Sequence, residues 1–146
     1  MDIIFKIKNK LIKQDIKLNK PATWQQILAF EYKYQVKLSP ILRAYFLEFN
    51  GIADREMDEK YFTFLSLAEF QSVESISSCY DKDKYLYPNS FVFSDYLVWC
   101  WGYAVQLDQL GLDSVVYQVG GSEKIKIADS FTAFLNQYLI DSDELL

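Results

Sequence analysis

NKPATWQQILAFEYKYQVKLSPILRAYFLEFNG, residues 19–51, carries the boundary signals of two successive helices. Thr23 is placed to cap the first, and Gln26, three residues on, completes a capping box. Trp24, Ile27, Leu28, Phe30 and Tyr34 supply its apolar side. Ser39 can cap the second helix. Pro40 then falls at the first helical position, where its missing N–H costs nothing. Leu42, Tyr45, Phe46 and Phe49 follow the i, i+3, i+4, i+7 rule of one buried face. Asn50-Gly51 reads as the C-cap, with Gly51 able to take the left-handed conformation that closes a helix. Two apolar-faced helices on a short link form a pair that must cover something else.

The residues downstream predict a sheet. Residues 52–60, IADREMDEK, read as an acidic loop, and YFTFLSL (61–67) alternates like a strand. AEFQSV (68–73) is a short helix or turn, and residues 74–89 a long polar loop with three tyrosines. FVFSDYLVWCWGYAVQLD (91–108) predicts two or three strands, broken near Ser94-Asp95 and Gly102. VVYQV (115–119) and KIKIA (124–128) flank Gly120-Gly121 as a hairpin. Asp129 then looks like the N-cap of SFTAFLNQYL, whose Phe131, Phe134, Leu135 and Tyr138 share a face. The N-terminal stretch fits both periods; Ile4, Ile7 and Leu11 favour a helix over 4–14. The expected fold is α+β: one domain over 1–146, with 1–16 an extension. An antiparallel or mixed central sheet carries two N-terminal helices and a C-terminal helix.

The chain has 146 residues, 51% hydrophobic and 17% aromatic. That suffices for one well-buried core without a metal or disulfide. The opening residues lack a signal-peptide pattern, and no apolar run reaches the ~20 residues that span a bilayer, so a cytoplasmic location is expected. Cys79 and Cys100 are too far apart for a metal or redox pair and read as reduced core thiols. Net charge is −5, unevenly spread. Residues 1–40 hold eight Lys against three acids (+5), and residues 41–146 hold seven basic against seventeen acidic residues (−10). An acidic body disfavours nucleic acid and anionic lipid and steers basic partners. The N-terminal lysines, with no aromatics interleaved, read as a solvated face.

Catalytic groups are not evident. There is no histidine, which removes the usual general base and the commonest metal ligand. No GxSxG, Walker A or GxGxxG stretch occurs. Glu31 sits beside the apolar stripe of its helix, where a carboxylate needs a partner, and a structural hydrogen bond or ion pair is expected. Acid pairs such as Asp58-Glu59 read as solvated charge. No catalytic residue, metal or cofactor is assigned.

Residues 19–51 resemble the first half of SUKH-superfamily domains (Smi/Knr-like and Syd-related), which include Syd-like bacterial proteins and a fungal cell-wall-synthesis regulator. The matching features are Pro21-Ala22-Thr23, Glu31, Leu38 and Asn50-Gly51. Asp95, Trp101, Gly102 and Tyr103 fall where that family has its strand region, and IADSFTAFLNQYL (127–139) is similar to its closing helix. One departure stands where most members have Leu-Pro: this chain has Leu38-Ser39-Pro40. The resemblance implies a non-enzymatic immunity protein that binds and neutralises a cognate bacterial toxin, of nuclease type. The other role it allows is an adaptor or scaffold with several cellular partners. The expected partner is a basic toxin domain, without nucleic acid or membrane. The expected binding face joins Asp54, Glu56, Asp58 and Glu59 to the aromatics Tyr80, Tyr85, Tyr87, Trp99 and Trp101.

Overall fold

The computed structural model describes residues 2–76, 89–97, 100–120, 125–141 and 145. Helix α1 (Asp2–Ile12) is followed by α2 (Trp24–Tyr34) and α3 (Pro40–Glu48). Strands β1 (Phe62–Phe64), β2 (Gln71–Ser72), β3 (Ser90–Tyr96), β4 (Trp101–Gln106), β5 (Val116–Val119) and β6 (Ile125–Ala128) precede α4 (Phe131–Leu139). The sheet order is β1-β3-β4-β5-β6, with β2 pairing β3 beside β1, and every pairing is antiparallel. The architecture is α+β.

Local signals explain the helix ends. Thr23 and Gln26 form the expected capping box. Ser39 Oγ accepts from the Leu42 amide, and Pro40 is the first helical residue. The buried faces match the periodicity: Ile4, Ile7 and Leu11 on α1, Leu42, Tyr45 and Phe46 on α3, and Phe131, Phe134, Leu135 and Tyr138 on α4. These side chains form one core with Phe62, Phe64, Phe91, Phe93, Tyr103 and Val105 of the sheet. The alternate strand residues Val92, Ala104 and Val119 turn to the other face, where they meet Leu65 and Val73.

Five sequence expectations change. On α2 only Ile27 and Phe30 are buried, while Trp24 (52% exposed) and Leu28 (56%) face outward. The cap of α4 is Ser130, whose Oγ accepts from the Ala133 amide; Asp129 instead pairs with Lys126 at 2.7 Å on the surface. Strand β3 continues through Ser94-Asp95, with only a register shift against β4 between Val92 and Ser94, and β4 continues through Gly102; all three residues are buried inside the sheet. The break lies between the two strands, after Tyr96, and Asp95 pairs directly with Gly102. Cys100 is an exposed free thiol, not a core residue; Cys79 lies outside the described residues.

Candidate protein-binding surface

The loop joining α3 to β1, residues 49–61, is held by its own side chains. Asn50, Gly51, Asp54, Arg55 and Tyr61 all have positive φ, between 53° and 86°. Each non-glycine residue in that region costs roughly 1–3 kcal/mol, so the loop keeps its shape only because its surroundings over-determine it. Asn50 caps α3 and also braces two segments: its Nδ2 donates to Lys20 O at 2.8 Å and its Oδ1 accepts from Leu67 N at 2.9 Å. Gly51 lies against β1, where an added Cβ would sit 2.6 Å from the Leu65 carbonyl carbon. Glu31, by contrast, ties α2 to α3. It accepts from the Leu38 amide at 2.7 Å and pairs with Arg43 at 3.0 Å, which is the structural role expected of it.

Arg55 locks the loop from its centre. Its guanidinium reaches buried Asp95 at 2.9 Å and Glu69 at 3.0 Å. Asp58 turns inward as well: its Oδ1 accepts from the Lys60 and Phe62 amides at 2.8 and 2.9 Å, and its Oδ2 from the Tyr138 hydroxyl. Burial, and then the charge of Asp58, push the Tyr138 hydroxyl well above the usual tyrosine range. Asp58 is therefore not the solvated acid that its polar neighbours suggested. Asp54, Glu56 and Glu59 remain on the surface.

A run of aromatic rings begins at the end of this loop. Tyr61 is half-exposed and meets Tyr96 edge-on, 6.4 Å between centroids. Tyr96 stacks on Trp101 at 4.6 Å, and Trp101 Nε1 donates to the Tyr103 hydroxyl at 2.9 Å. That hydroxyl donates in turn to the Leu145 carbonyl. Burial pushes its pKa up to about 12, although the Trp101 bond acts in the other direction. Exposed Met57 and Leu97 add apolar area, and Leu97 N bonds Tyr61 O at 3.0 Å. The structure thus brings Trp101 together with the acidic loop through Tyr61 and Tyr96, two residues that sequence reasoning missed. An aromatic on either side of the strand break was the available signal. Tyr80, Tyr85, Tyr87 and Trp99 lie outside the described residues.

Among the described residues, no three His, Cys, Asp or Glu side chains are grouped to hold a metal ion. None of the described helices is long and apolar enough to cross a membrane. The loop thus exposes Asp54, Glu56 and Glu59, the last two near Lys13 and Gln14 just past α1, and leads at its end into the run of rings. Comparison with curated proteins returned no match. A family model does match residues 21–137, from the lead-in of α2 into the last turns of α4. The chain belongs to the SMI1 / KNR4 family (SUKH-1).

Proposed function

We propose that this protein is an immunity protein that binds a cognate bacterial toxin domain in the cytoplasm and silences it by occlusion. Family membership is consistent with that role and suggests a protein partner. The observation that carries the reading is the locked loop: Asp54, Glu56 and Glu59 are exposed on it, and it ends at the Tyr61–Tyr96–Trp101 run of rings. Exposed acids steer a basic partner and raise its rate of encounter. Rigid rings supply desolvated contact area at small entropic cost. A nuclease fits as the toxin, because an enzyme that grips a polyanion carries positive charge of its own. An interface of roughly 1,600 Å² would be an ordinary size for the complex.

The test is co-expression with any toxic domain found encoded beside this gene, followed by binding kinetics. The wild-type chain rescues growth. Replacing Asp54, Glu56 and Glu59 by Ala slows association roughly tenfold or more at low ionic strength, and the difference closes in high salt. Trp101→Ala acts instead on the dissociation rate. An association rate indifferent to both the triple change and salt would remove this loop from the interface. Failure to rescue against any neighbouring toxic domain would remove the immunity role.

A further inference from the structure

A second surface differs in charge and shape. Between α2 and the turn before β2 runs an open groove of about 580 Å³, within the range of ligand-binding clefts. Its floor is the edge of the core: Phe30 and Phe70 are buried there, 5.3 Å apart ring centre to ring centre, and part-exposed Tyr34 lies 4.8 Å from Phe30. Lys20 and Lys33 stand exposed at its margin, the Lys33 ammonium 5.1 Å over the Tyr34 ring. Among the described residues no acid lines it, in a chain whose net charge is −5. Two side-chain amides face it with spare capacity. Gln26 spends its Oε1 on the Thr23 amide, and exposed Gln71 makes no side-chain hydrogen bond among the described residues.

We propose that this groove docks an extended acidic peptide segment of another protein. The two ammoniums match side-chain carboxylates. Tyr34 and the exposed methyls of Ala29 and Ala68 meet the apolar side chains that alternate with them, and the glutamine amides can pair with a peptide backbone. A bare phosphate or carboxylate would use the lysines and leave this apolar lining idle. This goes beyond the toxin-binding reading, because the groove shares only Asn50 with the loop and none of its acids or rings. The domain would then hold two partners of opposite charge at once.

The experiment is an amide NMR titration of the full chain in low-salt buffer with a short blocked peptide of alternating Glu and Leu. Saturable shifts are expected at the amides of Ala29, Lys33, Ala68 and Gln71. The double variant Lys20→Glu/Lys33→Glu, exposed at both positions and therefore folded, weakens the peptide at least about tenfold. Lys37→Glu, exposed but outside the groove, leaves it unchanged. The proposal is overturned if those amides do not move, if a Lys-Leu peptide moves them equally, or if the double variant binds like wild type. It is also overturned if a single-stranded oligonucleotide shifts them as strongly, since charge alone would then be read. None of these outcomes depends on whether the chain rescues cells from a toxin.

Discussion

Asp54 and Asp58 occupy one short loop and have opposite fates. Composition cannot separate them, because both sit among polar residues. What separates them is Tyr138, 80 positions away, whose hydroxyl reaches Asp58 and draws it into the core. A long-range partner of that kind leaves no mark on the local sequence. Asn50-Gly51 was legible as a helix end, because capping is a matter of neighbours. Its second duty was not: the loop passes so close to β1 that no side chain fits at Gly51. Gly51→Ala should therefore cost at least about 3 kcal/mol, combining a left-handed φ of 86° with a Cβ 2.7 Å from the Phe64 carbonyl oxygen. Urea unfolding measures it. A loss below about 1 kcal/mol would mean that the loop relaxes away from the strand.

At the scale of elements, the helices were readable because caps and periodicity lie within a few residues of each other. The strands were harder. Ser94, Asp95 and Gly102 look like breakers by propensity, yet the sheet buries them with partners in place. The Ser94 hydroxyl donates to the Thr63 carbonyl at 2.9 Å, and Asp95 holds Arg55. Tertiary partners overrode local preference. The outward Trp24 and Leu28 show the same limit, since an apolar residue near a stripe need not lie on it. Helix α1 gives the clearest element-level prediction. It precedes residue 21, where the family match begins, yet Ile4, Ile7 and Leu11 belong to the main core. Lys10 fastens it to α4 through the Tyr138 carbonyl at 2.9 Å and Asp141 at 2.7 Å. Ile7→Ala should cost about 2–5 kcal/mol, as for other fully buried aliphatics. Phe5→Ala, on the exposed side of the same helix, should change stability by less than about 0.5 kcal/mol. Equal effects would show that α1 does not pack as a fixed part of the core.

The whole molecule combines an acidic surface with an interior rich in tyrosine, and that interior sets its behaviour in alkali. Tyr45, Tyr103 and Tyr138 are buried, and in each, burial is the first cause raising the hydroxyl above the ordinary 10.0. The Tyr45 hydroxyl donates to the Leu65 carbonyl at 2.8 Å, so it keeps its proton in the fold. An unfolded chain releases these protons near pH 10, while the folded chain still holds them. Above pH 10 the native state therefore binds more protons, and stability must fall as pH rises. For Tyr103, raised to about 12, the loss grows by about 1.4 kcal/mol per pH unit between 10 and 12. Tyr45 and Tyr138 act in the same direction. Against a total stability of roughly 5–15 kcal/mol, the loss from Tyr103 is a sizeable share by pH 12, and Tyr45 and Tyr138 add to it. Denaturant midpoints measured at intervals from pH 8 upward should hold level as far as these hydroxyls are concerned until pH 10, then drop. Tyr103→Phe should shallow the drop, because it removes one titrating hydroxyl from both states. A midpoint unchanged through pH 11 would mean that these tyrosines ionise in the folded protein as readily as in water, and the packing of α3, α4 and the sheet around them would have to be looser than it is.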